Sequence, residues 1–99
     1  MKPLVVPPAA LRDPDSIQML SAWIAEKGQH CVVKIGLWED NDRDEARIWG
    51  MFLADTIRHI ANAMHEQYGK PPEETIRLIL DGLNVELDNP TTEVVGGFS

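Results

Sequence analysis

The chain has 99 residues, 43% of them hydrophobic and 25% charged, which is enough for one modest domain burying roughly 60–65% of its unfolded surface. Nine Lys and Arg face 16 Asp and Glu, for a formal charge of -7. That sign is wrong for neutralising nucleic-acid phosphates or for lying on an anionic membrane.

Residues 1–12 read as an extended arm, because Pro3, Pro7 and Pro8 remove backbone donors and fix φ. The same prolines interrupt an apolar run too short for a signal peptide. Asp13-Pro14 reads as a helix start, an N-cap residue followed by proline at the first helical position. Ile17, Leu20 and Ile24 then keep helical spacing, and Gly28 suits the stop, so a helix is predicted over 13–27. His30 to Trp38 alternates, with Cys31, Val33, Ile35 and Leu37 on one face, and reads as a strand. Residues 39–45 form an acidic connection.

A long helix is predicted from about Asp44 to Tyr68, carrying Trp49, Phe52, Leu53, Ile57, Ile60, Ala61, Met64 and Tyr68 as an apolar stripe. Gly69 closes it. Pro72-Glu73-Glu74 opens another helix. Ile76, Ile79, Leu80, Leu83 and Leu87 carry it to about Asp88, although Leu83, Val85 and Leu87 also alternate as a strand would. Asn89-Pro90 ends it, and residues 91–99 form a tail, flexible unless it docks. The domain proper spans 13–90. The fold class is α+β, in the order arm, helix, strand, helix, helix, tail.

A lone strand cannot satisfy its own backbone groups. The expectation is therefore that the strand pairs across a homodimer interface, with Val32, Lys34 and Trp38 at the joint.

On the long helix Asp55, His59, Asn62 and Glu66 stand at i, i+4, i+7 and i+11, along one face. An Asp one turn from a His can orient an imidazole or seed a metal site. Zinc, however, takes at least three protein ligands, and no HExxH or CxxC pattern occurs. A solvated face is the commoner meaning of such a pattern. Asp40, Asp42 and Asp44 begin like a calcium loop, but Glu45 and Met51 stand where Gly and Glu are required. Cys31 shares its face with aliphatic residues and reads as a packed thiol, away from neighbouring His30. As the chain's one cysteine it allows no internal disulfide, which fits a reducing compartment. No stretch approaches the roughly 20 apolar residues of a membrane span, and a cytoplasmic location is expected. Trp23, Trp38 and Trp49 read as core or interface rather than a ligand pocket. No glycine-rich phosphate loop occurs, and no cofactor is expected.

Several segments resemble a family of small bacterial proteins known as a domain of unknown function. They are Ile17-Gln-Met-Leu-Ser-Ala-Trp23, Trp49-Gly50, Leu53-Ala54-Asp55, Arg58-His59-Ile60-Ala61 and Pro90-Thr91-Thr92. The last of these commonly ends in Asp in the family, where this chain has Thr92. The resemblance covers residues 13–92 and implies a compact cytoplasmic domain without assigning a reaction. The functional expectation is a self-associating, non-catalytic interaction module. The alternative is a metal- or small-molecule-binding protein, possibly enzymatic in kind, using the Asp55/His59/Asn62/Glu66 face. An acidic inhibitor or nucleic-acid mimic would need the carboxylates gathered on one surface, and they are scattered along the chain.

Overall fold

The computed structural model describes residues 1–38 and 44–99. Its elements in order are α1 (Pro8–Arg12), β1 (Leu20–Ala25), β2 (Gly28–Val33), α2 (Glu45–Tyr68), α3 (Pro72–Asp88) and β3 (Val94–Phe98). The class is α+β, and the chain forms two compact units.

The first unit, Met1–Ile35 with Val94–Ser99, is built on a three-stranded sheet in the order β1-β2-β3. β1 and β2 pair antiparallel, Leu20 against Val33 through Ala25 against Gly28. β2 and β3 pair parallel, Gln29 against Val94 through Val33 against Phe98. Two parallel strands require a long crossover, and here the chain between β2 and β3 carries both long helices.

Three expectations are corrected in this unit. Residues 13–27 do not form a helix. Asp13 instead ends α1, and its carboxylate accepts the Asp15 N–H at 2.9 Å, so its capping chemistry serves a turn. Leu20-Ser-Ala-Trp-Ile-Ala25 also alternates, and tertiary pairing selects that period over the helical one. The hairpin turn escapes sequence reading because Glu26 (φ 49°) and Lys27 (φ 65°) occupy the left-handed region usually given to Asn-Gly or Asp-Gly.

The arm is not extended throughout, since Pro8 opens a five-residue helix, α1, with Pro7 as its N-cap. The third correction concerns the strand. β2 ends at Val33, and Gly36 (φ 91°) turns the chain before Leu37 and Trp38. More consequentially, β2 is the central strand. Both its edges are taken by the same polypeptide, β1 on one side and β3 from the supposed tail on the other. The need for an outside partner for β2 is thus met within the chain.

The second unit spans Gly36–Glu93. α2 begins where its sequence dictates: Asp44 is the N-cap and its carboxylate accepts the Ala46 N–H at 3.0 Å. Glu45 accepts the Gly36 N–H at 2.7 Å, tying the preceding turn to the helix start. Gly69 closes α2 in the left-handed conformation, φ 72°, donating its N–H to the His65 carbonyl. Pro72 then starts α3, which runs unbroken past Gly82 to Asp88, so residues 83–88 are helical. Arg77 bridges Glu74 and Asp81 on its outer surface, and the Glu74 carboxylate raises the guanidinium pKa. α2 and α3 pack on each other, burying Ala61 (0% exposed) and Thr75 (4%). Trp49 and Phe52 meet edge to face, ring centroids 5.3 Å apart.

Candidate functional site

Asp55, His59, Asn62 and Glu66 all lie on α2 and are all exposed. Asp55 is ion-paired with Arg58 one turn along. Among the described residues no group of three or more His, Cys, Asp or Glu side chains is placed to hold a metal ion. Asp44 serves as a helix cap, and Asp40 and Asp42 lie outside the described residues.

Of the residues expected at an interface, Val32 stands exposed on β2, on the sheet face it shares with Ser21 and Gly97. Lys34 is half-buried, its N–H bonded to the Met19 carbonyl as a continuation of the β1–β2 ladder. Trp38 is half-buried in a turn of the other unit and belongs to no strand.

The opposite sheet face is the more telling surface. Residues paired across strands project to the same side. The registers therefore gather Leu20, Ala22, Ile24, Cys31, Val33, Val94 and Phe98 on one face. Its polar member is Gln29, and no charged group interrupts it. Cys31 is half-buried there, packed as a small apolar residue. Beside it Val33, Ile35, Val94 and Phe98 line an open depression of about 440 Å3. Ile24 (82% exposed), Phe98 (78%) and Val94 (68%) are largely uncovered. Chemically this face can bind other apolar surface; it holds no acid–base pair and no nucleophile–base arrangement. Sequence reading missed Ile24, Val94 and Phe98 because neither β1 nor β3 was expected as a strand. The signal available for β3 was the short Val-Val-Gly-Gly-Phe run itself.

Near the end of α3, Glu86 accepts the Thr91 N–H at 2.7 Å and the Thr91 hydroxyl. These two bonds hold its carboxyl below its ordinary pKa. The Pro90-Thr91 segment thus fastens the chain leaving the helix.

No helix among the described residues is long and apolar enough to cross a membrane. Among curated proteins none matches the chain. Among solved structures, one from the photosynthetic bacterium Rhodopseudomonas palustrus CGA009, described as a "putative pyruvate dehydrogenase", is 22% identical. The likeness covers 94% of this chain and 90% of that one, with a TM-score of 0.66, and at this identity it carries the fold alone. The model of a family described as a domain of unknown function, DUF5076, matches residues 3–91, and the chain belongs to that family.

Proposed function

We propose that this chain is a cytoplasmic, non-catalytic interaction module that works as a homodimer. The observation that supports this most is the amount of apolar side chain left uncovered in each unit. In the sheet unit Ile24, Val94 and Phe98 project from a face without charge. In the helical unit Leu53, Ile60, Leu80 and Leu87 are exposed while Ala61 is the one buried hydrophobic residue among those described. Apolar side chains left exposed on an uncharged face mark interaction sites. Two copies each carrying a charge of -7 repel one another. A contact made through uncharged residues places that repulsion at the rim, where salt screens it.

The test is molar mass in solution by light scattering, from micromolar to high micromolar concentration. A species of twice the 11.1 kDa chain mass is expected. A mass of one chain throughout that range would overturn the proposal.

A further inference from the structure

We propose that the outer edge of β3 is the surface through which two copies join, pairing antiparallel about a two-fold axis at Gly96 to make one six-stranded sheet. This rests on the homodimer reading above and names the surface that would serve it.

The backbone geometry selects the edge. Ser99 donates its N–H to the Val33 carbonyl and accepts from the Ile35 N–H, both at 2.9 Å. Both of its polar groups therefore face β2. Along a strand these groups alternate sides with a period of two. Gly97 and Val95 consequently also face β2, as their register opposite Val32 and His30 requires. Val94, Gly96 and Phe98 turn their N–H and C=O groups outward, and among the described residues none of these groups has a partner. A short β-strand showing such a row is a template for another strand. The usual protections are missing, since Val-Val-Gly-Gly-Phe contains no Lys, Glu or Pro.

The other edge of the sheet is differently placed. The N-terminal segment Lys2–Pro7 lies beside β1 and lines, with Leu20–Trp23, a cavity of about 650 Å3. The chain's own arm thus flanks β1 across that cavity at Leu20–Trp23, while every residue of β3 is exposed.

The occupant that fits the β3 edge is a second β3. A closed dimer repeats the same patch on both subunits, so the strand must be complementary to itself. With the axis at Gly96, the outward-turned residues meet one another: Gly96 faces Gly96 of the partner subunit, and Val94 faces Phe98 of the partner subunit. Each pair exchanges two hydrogen bonds. The Val94 and Phe98 side chains, both largely uncovered in one chain, then cover each other as a β-branched and aromatic cross-strand pair. Gly96 brings no side chain to the axis, so nothing obstructs the approach there.

The experiment combines light scattering with residue-resolved amide exchange on the full chain. In the dimer, the Val94, Gly96 and Phe98 amides should exchange as slowly as those of Val95, Gly97 and Ser99. On dilution to single chains the first three should speed up at least tenfold while the second three stay slow. Val94→Pro removes an outward N–H without touching the β2 ladder, and should give the mass of one chain with an unchanged circular dichroism spectrum. If that variant fails to fold, the exchange pattern decides alone. A dimer whose Val94, Gly96 and Phe98 amides exchange freely, or a folded Val94→Pro dimer, would overturn this edge while leaving self-association intact. A wild-type chain that is single at all concentrations would remove both.

Discussion

Gly96 lies so close to Cys31 across the parallel β2–β3 pair that a Cβ at Gly96 would stand 1.7 Å from the Cys31 carbonyl oxygen. Its φ of 144° is a conformation that side chains rarely adopt. Gly96→Ala is therefore expected to force β3 away from β2, at a cost of about 3 kcal/mol or more from combined overpacking and backbone strain. Gly97→Ala meets nothing within 4 Å and should change stability by less than about 0.5 kcal/mol. Urea unfolding of the two variants checks this, and equal stabilities would contradict the β2–β3 contact.

The β1–β2 turn stores strain that can be relieved. Lys27 holds φ 65°, a left-handed conformation costing a residue with a Cβ about 1–2 kcal/mol. Lys27→Gly should stabilise the protein by about 0.5–1 kcal/mol, because glycine also loses more freedom on folding. Lys27→Ala keeps the Cβ and should bring no such gain. Thermal melts of the three proteins give the ranking, and a destabilised Lys27→Gly would contradict the turn described.

The Glu86–Thr91 contact makes a pH-dependent prediction. Hydrogen bonds from the Thr91 hydroxyl and N–H lower the Glu86 pKa from its ordinary 4.5. A carboxyl lowered on folding supports the native state above its unfolded pKa, and that support fades as pH falls through the folded value. Thr91→Val, which deletes the hydroxyl, should raise the Glu86 pKa toward 4.5 in an NMR titration. It should also melt below wild type at neutral pH, with the gap closing in acid. An unchanged Glu86 titration would show the contact to be absent in solution.

On α2, Arg58 pairs with Asp55 in an exposed position, and such pairs contribute about 0.3–0.5 kcal/mol. Adding zinc, magnesium or manganese should leave the melting temperature unchanged in both wild type and His59→Ala. A ligand that binds only the native state raises that temperature. A rise in wild type that His59→Ala abolishes would favour the metal-binding alternative over the interaction reading.

The two long helices were legible because local chemistry marks both their ends. Asp44 caps α2, Gly69 takes the left-handed stop, and Pro72 opens α3. The continuous stripe through Leu83 and Leu87 outweighed Gly82 and the local alternation. The sheet was legible only at β2. For β1, Asp13-Pro14 and the Ile17-Leu20-Ile24 spacing satisfied a helix, while the positive φ of Glu26 and Lys27 left no turn signature. For β3, two adjacent glycines weaken any strand signal, and its partner lies far back in the sequence. Missing those strands made β2 look solitary and directed attention to Val32, Lys34 and Trp38. The uncharged face with Ile24, Val94 and Phe98 emerges only once the registers of all three strands are known. The placement of Asp55, His59, Asn62 and Glu66 along one face of α2 is legible in their spacing, since it follows from helical geometry alone.

The middle position of β2 also dictates an order of folding. Its first neighbour is a two-residue turn away, and such hairpins close in about 1–10 μs. Its second neighbour arrives only after α2 and α3 have been synthesised. Joining it closes a long loop, whose entropy must be spent before the parallel contacts form. A nascent chain on the ribosome therefore carries a half-finished sheet, its β2 flank bare, until Phe98 emerges. During that interval a strand from a neighbouring nascent chain competes for the same flank.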